Sequence, residues 1–257
     1  KGYPSVSERT SMHARTRALT ALLALAVLAA GCVAPPGAAG SGQPHETPLD
    51  AETVAADHAA ALASVGSYTY DATAAATLDG QAAGTSNLSA AIDTENDRAL
   101  VTADAAFGPV DTYLANGTVA QRIGAEQPQY RTFESEAGAG DLVAANPAAT
   151  VRNYTFVANG TDTVNGQRVW LYEATASGED AHLQQSLGDG VAVTNVTVTL
   201  AIRGDGLVVR QDVAATIAVG ERTGTYSRTT AYSALGTTSV DRPAWTDAAT
   251  NATATDA

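Results

Sequence analysis

The sequence predicts an α+β protein with one N-terminal helix followed by a single antiparallel sheet of about 11 strands. Three observations lead there. Apolar residues recur at three- and four-residue spacing from Ala51 to Val65 and stop at Gly66, the pattern of a helix with one buried stripe. After Gly66 the period changes to two for most of the remaining chain, broken by turn residues every 8 to 14 positions. One pair of alternating segments, around Gly204-Asp205, folds into a hairpin that brings its large apolar side chains to one face.

The helix begins where Thr47 can cap it, Pro48 suits its first turn and Asp50 takes the acidic position of a capping box. Its stripe is Ala51, Val54, His58, Ala61, Leu62 and Val65. His58 lies on that stripe, so it reads as a boundary histidine packed on the sheet, with a ligand or catalytic group as the other reading. Strands are expected at 67–78, 85–92, 98–106, 109–115, 118–124, 127–134, 151–158, 167–175 and 223–234, with weak helical pieces near 140–147 and 180–187. Asn165-Gly166 marks a tight hairpin before Gln167. In the hairpin at Gly204-Asp205, Val196, Val198, Leu200 and Ile202 alternate with small or polar residues, and Leu207, Val209, Val213 and Ile217 do so on the return. Turning there pairs Arg203 with Gly206, Ile202 with Leu207, Leu200 with Val209 and Val196 with Val213.

Composition limits what such a fold can do. The 257 residues include 14 Lys+Arg against 27 Asp+Glu, a net charge of −13 and a pI near 4.5. This excludes nucleic acid as a partner, because neutralising phosphates needs clustered Lys and Arg. From Cys32 onward there are 10 Arg, no Lys and 26 acids, a net −16. Dense acid, Arg in place of Lys, and abundant Ala and Thr resemble a haloarchaeal proteome, whose acidic, halophilic surfaces stay hydrated by mutual repulsion in concentrated salt. An acidic secreted protein from a GC-rich bacterium is the other reading. A single Cys excludes a disulfide framework and any Cys-based zinc or iron–sulfur site.

Residues 1–31 read as an upstream extension and a lipoprotein signal peptide. The only Met is Met12, and after it come a basic segment with Arg15 and Arg17, an apolar run from Ala18 to Ala30, and Gly31 before Cys32. That run fits a signal-peptide core and falls short of the ~20 residues a spanning helix needs. Gly31-Cys32 resembles a lipobox, which implies cleavage before Cys32, a lipid on its thiol and attachment to the outer face of the cell membrane. A non-cleaved signal anchor would also leave the domain outside. Residues 32–46 are rich in Pro, Gly and Ala and read as a tether. Residues 47–245 form the β-domain, and 246–257, without a large apolar residue, are expected to be a disordered tail.

Lipobox, tether, a helix starting Asp50-Ala51-Glu52, a strand starting Ser67-Tyr68-Thr69-Tyr70 and a long meander together resemble haloarchaeal cell-surface lipoproteins with a LolA-like fold. Val164-Asn165-Gly166-Gln167-Arg168-Val169-Trp170, Ile202-Arg203-Gly204-Asp205-Gly206-Leu207-Val208 and Pro243-Ala244-Trp245 are similar to that group too. The resemblance covers most of 47–245. It implies an unclosed half-barrel with the helix packed on its concave face, as in lipoprotein carriers and mycobacterial LppX-type proteins, which hold acyl chains or glycolipids there. No binding residue of the family carries over by position.

Candidate sites are few. Of nine Asn, six begin Asn-x-Ser/Thr: Asn87, Asn116, Asn153, Asn159, Asn195 and Asn251, the acceptor pattern of N-glycosylation in an exported protein. No His-x-His, His-Glu-x-x-His, nucleophile elbow or phosphate loop occurs, so neither an enzyme nor a cofactor is expected. Asp93, Glu95 and Asp97 alternate in one turn, but no Gly follows at the sixth position of a calcium loop, and a solvated acidic turn is the simpler reading. Arg203-Gly204-Asp205 reads as a tight turn, and Trp170 and Trp245 as core aromatics. The face carrying Val196, Val198, Leu200, Ile202, Leu207, Val209 and Val213 is expected to be concave and ligand-facing, with Asn195, Thr197, Thr199, Arg210 and Asp212 on the other. Two functions follow from this: a binding module for a hydrophobic or amphiphilic, lipid-like ligand, or a structural, glycosylated envelope protein without one. Protein partners are not readable from the sequence.

Overall fold

A computed structural model describes residues 42–105, 108–143, 146–188 and 190–255, the side chains of 253–255 excepted. The leader, Cys32 and most of the expected tether lie outside the described residues.

Helix α1 (Ala51–Val65) starts three residues later than Thr47 would cap it, because Asp50 is the cap. Its carboxylate accepts the Thr53 N–H at 2.8 Å and the Thr53 hydroxyl at 2.6 Å. Gly66, at φ +67°, ends the helix in the left-handed conformation that glycine allows without a Cβ penalty.

Eleven strands follow: β1 (Ser67–Leu78), β2 (Gln81–Asp93), β3 (Arg98–Ala105), β4 (Gly108–Ala115), β5 (Thr118–Ile123), β6 (Gln129–Glu134), β7 (Val157–Val164), β8 (Gln167–Ala176), β9 (Val191–Arg203), β10 (Val208–Val219) and β11 (Arg222–Ser233). They form one antiparallel sheet in the order β6-β5-β4-β3-β2-β1-β11-β10-β9-β8-β7, not closed into a barrel. The first half winds outward from β1 to one edge. The second starts at the opposite edge with β7 and winds back until β11 pairs with β1. The link between the halves carries a short 3-10 helix (Ala139–Leu142) and helix α2 (Pro147–Asn153); α3 (Ala181–Leu187) joins β8 to β9, and α4 (Thr246–Thr255) follows β11.

Four expectations change. The strand expected at 151–158 is instead the end of α2 and the start of β7. Asn146 accepts the Ala148 N–H at 2.8 Å and Pro147 opens the helix, so a cap-and-proline start prevails over the apolar residues that followed it. The segment expected to be a disordered tail contains α4, where Ala249 is fully buried and Thr246 nearly so, against β5 and β6. Small side chains let that helix lie close without any large apolar residue. The tether does not run free to Glu46, since His45 is buried and hydrogen-bonded to Tyr172. Finally, the β9–β10 register differs: Ile202 opposes Val208, Leu200 opposes Gln211 and Val198 opposes Val213, with bulges between Val208 and Arg210 and between Ala214 and Thr216. An extra residue in one strand shifts every pair beyond it.

Cross-strand partners share a face, so the registers sort the whole sheet. One row runs Ala174, Val198, Val213, Arg228, Ala74 and Ser86 through β8, β9, β10, β11, β1 and β2. This concave face bears α1, α2 and α3. Ala51 and Val54 of α1, with Ala148 and Val151 of α2, pack on Val198, Leu200 and Ile202, while Leu62 and Val65 pack on Tyr68, Ile92 and Leu114. At the sheet end where α1 meets the β9–β10 turn, Ala61, Leu207, Val209, Ala201 and Val169 form a third cluster.

Candidate functional site

Along the concave face of β1, side chains shrink and then recover: Tyr68, Tyr70, Ala72, Ala74, Ala76, Leu78. The tyrosines lie at the end covered by α1. His58 of α1 packs edge-on to Tyr232 with ring centroids 5.2 Å apart, accepts the Val208 N–H at 3.3 Å, and sits with Tyr70 and Tyr68 around the same ring. Burial pushes the Tyr232 phenol far above its ordinary value, the neighbouring Tyr70 and Tyr68 adding to the shift. The tyrosines and His58 are buried core, and a cavity of about 330 Å³ lined by Ala55, Leu62, Tyr68, Asp141, Tyr232 and His58 itself opens beside them under α1.

At the other end the small residues leave space. A cavity of about 320 Å³ opens there, floored by Ala74, Ala76 and Leu78 of β1, Gly84 and Ser86 of β2, Ile217 and Val219 of β10 and Tyr226 of β11, and walled by Leu187 and Val191. Leu187 is placed by α3, whose N-cap Asp180 accepts the Leu183 N–H at 2.8 Å and whose end is set by Gly188 at φ +98°. Its lining is almost wholly apolar, and Val219 at the mouth is 39% exposed. Burial holds the Tyr226 phenol above its ordinary value, partly offset by the nearby Arg228 cation.

Next to it lies a polar recess of about 140 Å³ lined by Arg228, Thr230, Gln211, Thr150 and His58. The Thr150 hydroxyl donates to Gln211 Oε1 at 3.3 Å. Arg228 stands opposite Ala74 and two residues from Tyr226, at the junction of recess and cavity. Among the described residues no hydrogen bond or ion pair engages it. By contrast Arg122, Arg203, Arg210, Arg222, Arg152 and Arg242 each pair with a carboxylate.

Charge is segregated by register. Every acidic residue in the strands, namely Asp71, Asp93, Asp104, Asp111, Glu134, Asp162, Glu173 and Asp212, falls on the convex face. The strand positions of the concave face carry no acid. The acids that overhang it come from the helical layer, such as Glu52, held by Arg152 at 2.9 Å, and Asp57, 3.9 Å from His45.

The sequence-predicted residues fall as follows. Val196, Val198, Leu200, Ile202 and Val213 are buried in the main concave-face core, while Leu207 and Val209 belong to the third cluster, because the bulge after Val208 removes them from that row. All seven are at most 9% exposed, and none lines the cavity. Alternation of large apolar residues locates the filled part of the face. The signal for the empty part is the Ala74-Ala75-Ala76 run and Gly84, residues that suit strands poorly and leave room when they occur there.

All six sequon asparagines are exposed. The side-chain amides of Asn87, Asn153 and Asn159 donate to Asp104, the Ala149 carbonyl and Glu173. Asn195, at φ +50°, lies in the second bulge of the β9–β10 pair, where Asn195 and Val196 stand against Ala215. In the acidic turn, Asp93 accepts both the backbone and side-chain N–H of Asn96, and Asp97 accepts the Ala139 N–H at 2.8 Å. Arg203 pairs with Asp205 within the Arg-Gly-Asp turn, Trp170 packs against the main core under Arg168, and Trp245 lies under Arg122. Cys32 lies outside the described residues. Among those residues no helix is long and apolar enough to cross a membrane.

Comparison with solved structures finds LprF from Mycobacterium bovis, with a TM-score of 0.40 and 16% identity over 77% of this chain and 98% of that one. The lipoprotein LppX of Mycobacterium tuberculosis gives 0.38 and 12% over 74% and 98%. A LolA superfamily protein from Nitrosomonas europaea gives 0.28 and 10% over 76% and 96%. No curated protein matches the chain. One family model, described only as a family of unknown function (DUF7537), matches residues 17–249.

Proposed function

The chain belongs to that family of unknown function, so its role has to come from its own residues, and we propose that it is an exported, lipid-anchored surface protein holding a lipid-like ligand in its half-barrel. The observation that carries this reading is the apolar cavity on the concave face. Ligand sites are concave, mostly apolar and partly open, with a few polar groups nearby, and a space of about 320 Å³ lies at the lower end of their usual range. Each buried methylene of a bound chain would contribute ~0.8 kcal/mol. The cavity presents apolar side chains and the recess beside it one guanidinium with hydroxyl and amide groups, a lining suited to binding.

The anchor is Cys32, after Gly31 at the end of the leader, and the tether lifts the domain off the membrane. The exposed sequon asparagines are the glycan acceptors on its outer surface. Replacing Cys32 by Ser should release the protein to the medium or leave it unprocessed; a Ser variant retained in membranes at processed size sinks the anchor.

Native mass spectrometry after mild detergent extraction tests the ligand directly. A co-purifying mass in the lipid range is expected. Protein free of added mass that also fails to take up a neutral apolar fluorophore would favour the second reading, a structural, glycosylated envelope protein, for which the tight filling of most of the concave face speaks.

A further inference from the structure

We infer that the ligand is an amphiphile with an acidic head group, which Arg228 receives in the polar recess while the chain occupies the apolar cavity. This rests on the cavity being a binding site and adds the chemistry of what binds. Three independent features converge. First, Arg228 is placed by register, with Ala74 of the cavity floor directly across from it and Tyr226 on the same face of its own strand. Opposed Cβ atoms in such pairs are ~5 Å apart, so a head at the guanidinium and a chain on the floor fit one short molecule. Second, the chain has 27 acids against 14 Lys and Arg, yet no described carboxylate engages this arginine. A guanidinium presents several donors in a planar fork matched to carboxylate, phosphate or sulfate, and these are left open toward the recess. Thr230 and Gln211 line the same recess and supply further hydrogen-bonding groups.

Third, the acids of the strands are all on the opposite face. A protein of net −13 repels anions over most of its surface, and an acidic head group could approach only where the local field is reversed. Keeping carboxylates off the concave strand positions while leaving Arg228 there provides such a place.

The test uses the full chain, the neutral fluorophore N-phenyl-1-naphthylamine, and two competitors with the same twelve-carbon chain, dodecyl phosphate and dodecyl maltoside, both below micelle formation. Both should displace the fluorophore, and the phosphate about tenfold more tightly, the scale of a charge-assisted contact. Arg228→Gln should abolish the preference and leave maltoside displacement unchanged; Arg228→Lys should keep part of it. Arg210→Gln, which removes a cation from the convex face, should keep all of it. An equal response to both competitors in the unmodified chain, or a preference that survives Arg228→Gln, overturns the head-group assignment while fluorophore uptake upholds the cavity. No fluorophore uptake at all overturns the cavity reading, and this inference with it.

Discussion

The Tyr172 hydroxyl is hydrogen-bonded to both backbone groups of His45, accepting its N–H at 3.1 Å and donating to its carbonyl at 2.8 Å. Tyr172 is fully buried on the concave face of β8, so this clasp makes the segment before α1 part of the domain. Tyr172→Phe keeps the ring, leaves the buried His45 N–H unpaired and leaves the His45 carbonyl with the Gln43 Nε2 donor alone, at 2.8 Å. The unpaired N–H costs about 1 kcal/mol or more, so a loss of about 1–2 kcal/mol is expected. It should appear as a lower urea midpoint at unchanged slope, with faster proteolysis between Gly42 and Leu49. Equal stability and equal cleavage would mean the clasp contributes nothing.

The same contact makes a pH prediction. The His45 imidazole is buried, its Nε2 meets no partner, and burial lowers its pKa below the ordinary 6.5 despite the opposing pull of Asp57. The folded state therefore binds a proton less readily than the unfolded chain. Stability is fully present above 6.5 and declines as pH falls from there toward the lower folded value. The lowered carboxylates Asp50, Asp79 and Asp93 titrate below that window and do not confuse it. Denaturation midpoints measured from about pH 7 to about pH 5 should fall, and His45→Gln should flatten that slope. An identical slope in the variant assigns the effect elsewhere.

Salt should stabilise the domain strongly. Twenty-six acids against ten Arg follow Cys32, and on the convex face some stand in rows, with Glu173 and Asp212 on either side of Thr199. Screening shortens the Debye length from ~10 Å at about 0.1 M to ~3 Å at about 1 M, which removes most repulsion between neighbouring strands. The thermal midpoint should rise steeply over that range, and Thr199→Lys, placing a cation between the two acids, should reduce the rise. A midpoint independent of salt removes the reading of a halophilic surface.

Much of the fold was legible because antiparallel strands with one solvated face announce themselves by alternation, and Asn165-Gly166 and Gly204-Asp205 mark their turns. What escaped were features without a large side chain. Helix α4 packs through Ala249 and Thr246, and α2 is announced only by Asn146-Pro147, while Val151, Tyr154 and Phe156 imitate a strand. The bulges of β9–β10 are a matter of one extra residue, which no period reveals. Leu200 and its neighbours stand out in the sequence for a physical reason. Large apolar residues mark where a face is filled, whereas a cavity is written in the residues that fail to fill it.

Two glycines on that face test the cavity most directly, because a side chain added to each meets opposite fates. A Cβ at Gly84 meets nothing within 4 Å, and its backbone is not in the left-handed region, so a larger residue there projects into the cavity from β2 without strain. A Cβ at Gly224 would lie 1.8 Å from the Thr77 carbonyl oxygen, inside the β1–β11 ladder, and the strands would have to part. Gly84→Leu should therefore leave stability unchanged or raise it by up to about 1 kcal/mol, since glycine is a poor strand former. It should also lower uptake of an apolar fluorophore severalfold by occupying the space a ligand chain would use. Gly224→Ala should lower stability and uptake together. Undiminished uptake by Gly84→Leu, in a protein that melts at or above the unmodified midpoint, would show that bound chains lie somewhere other than this cavity.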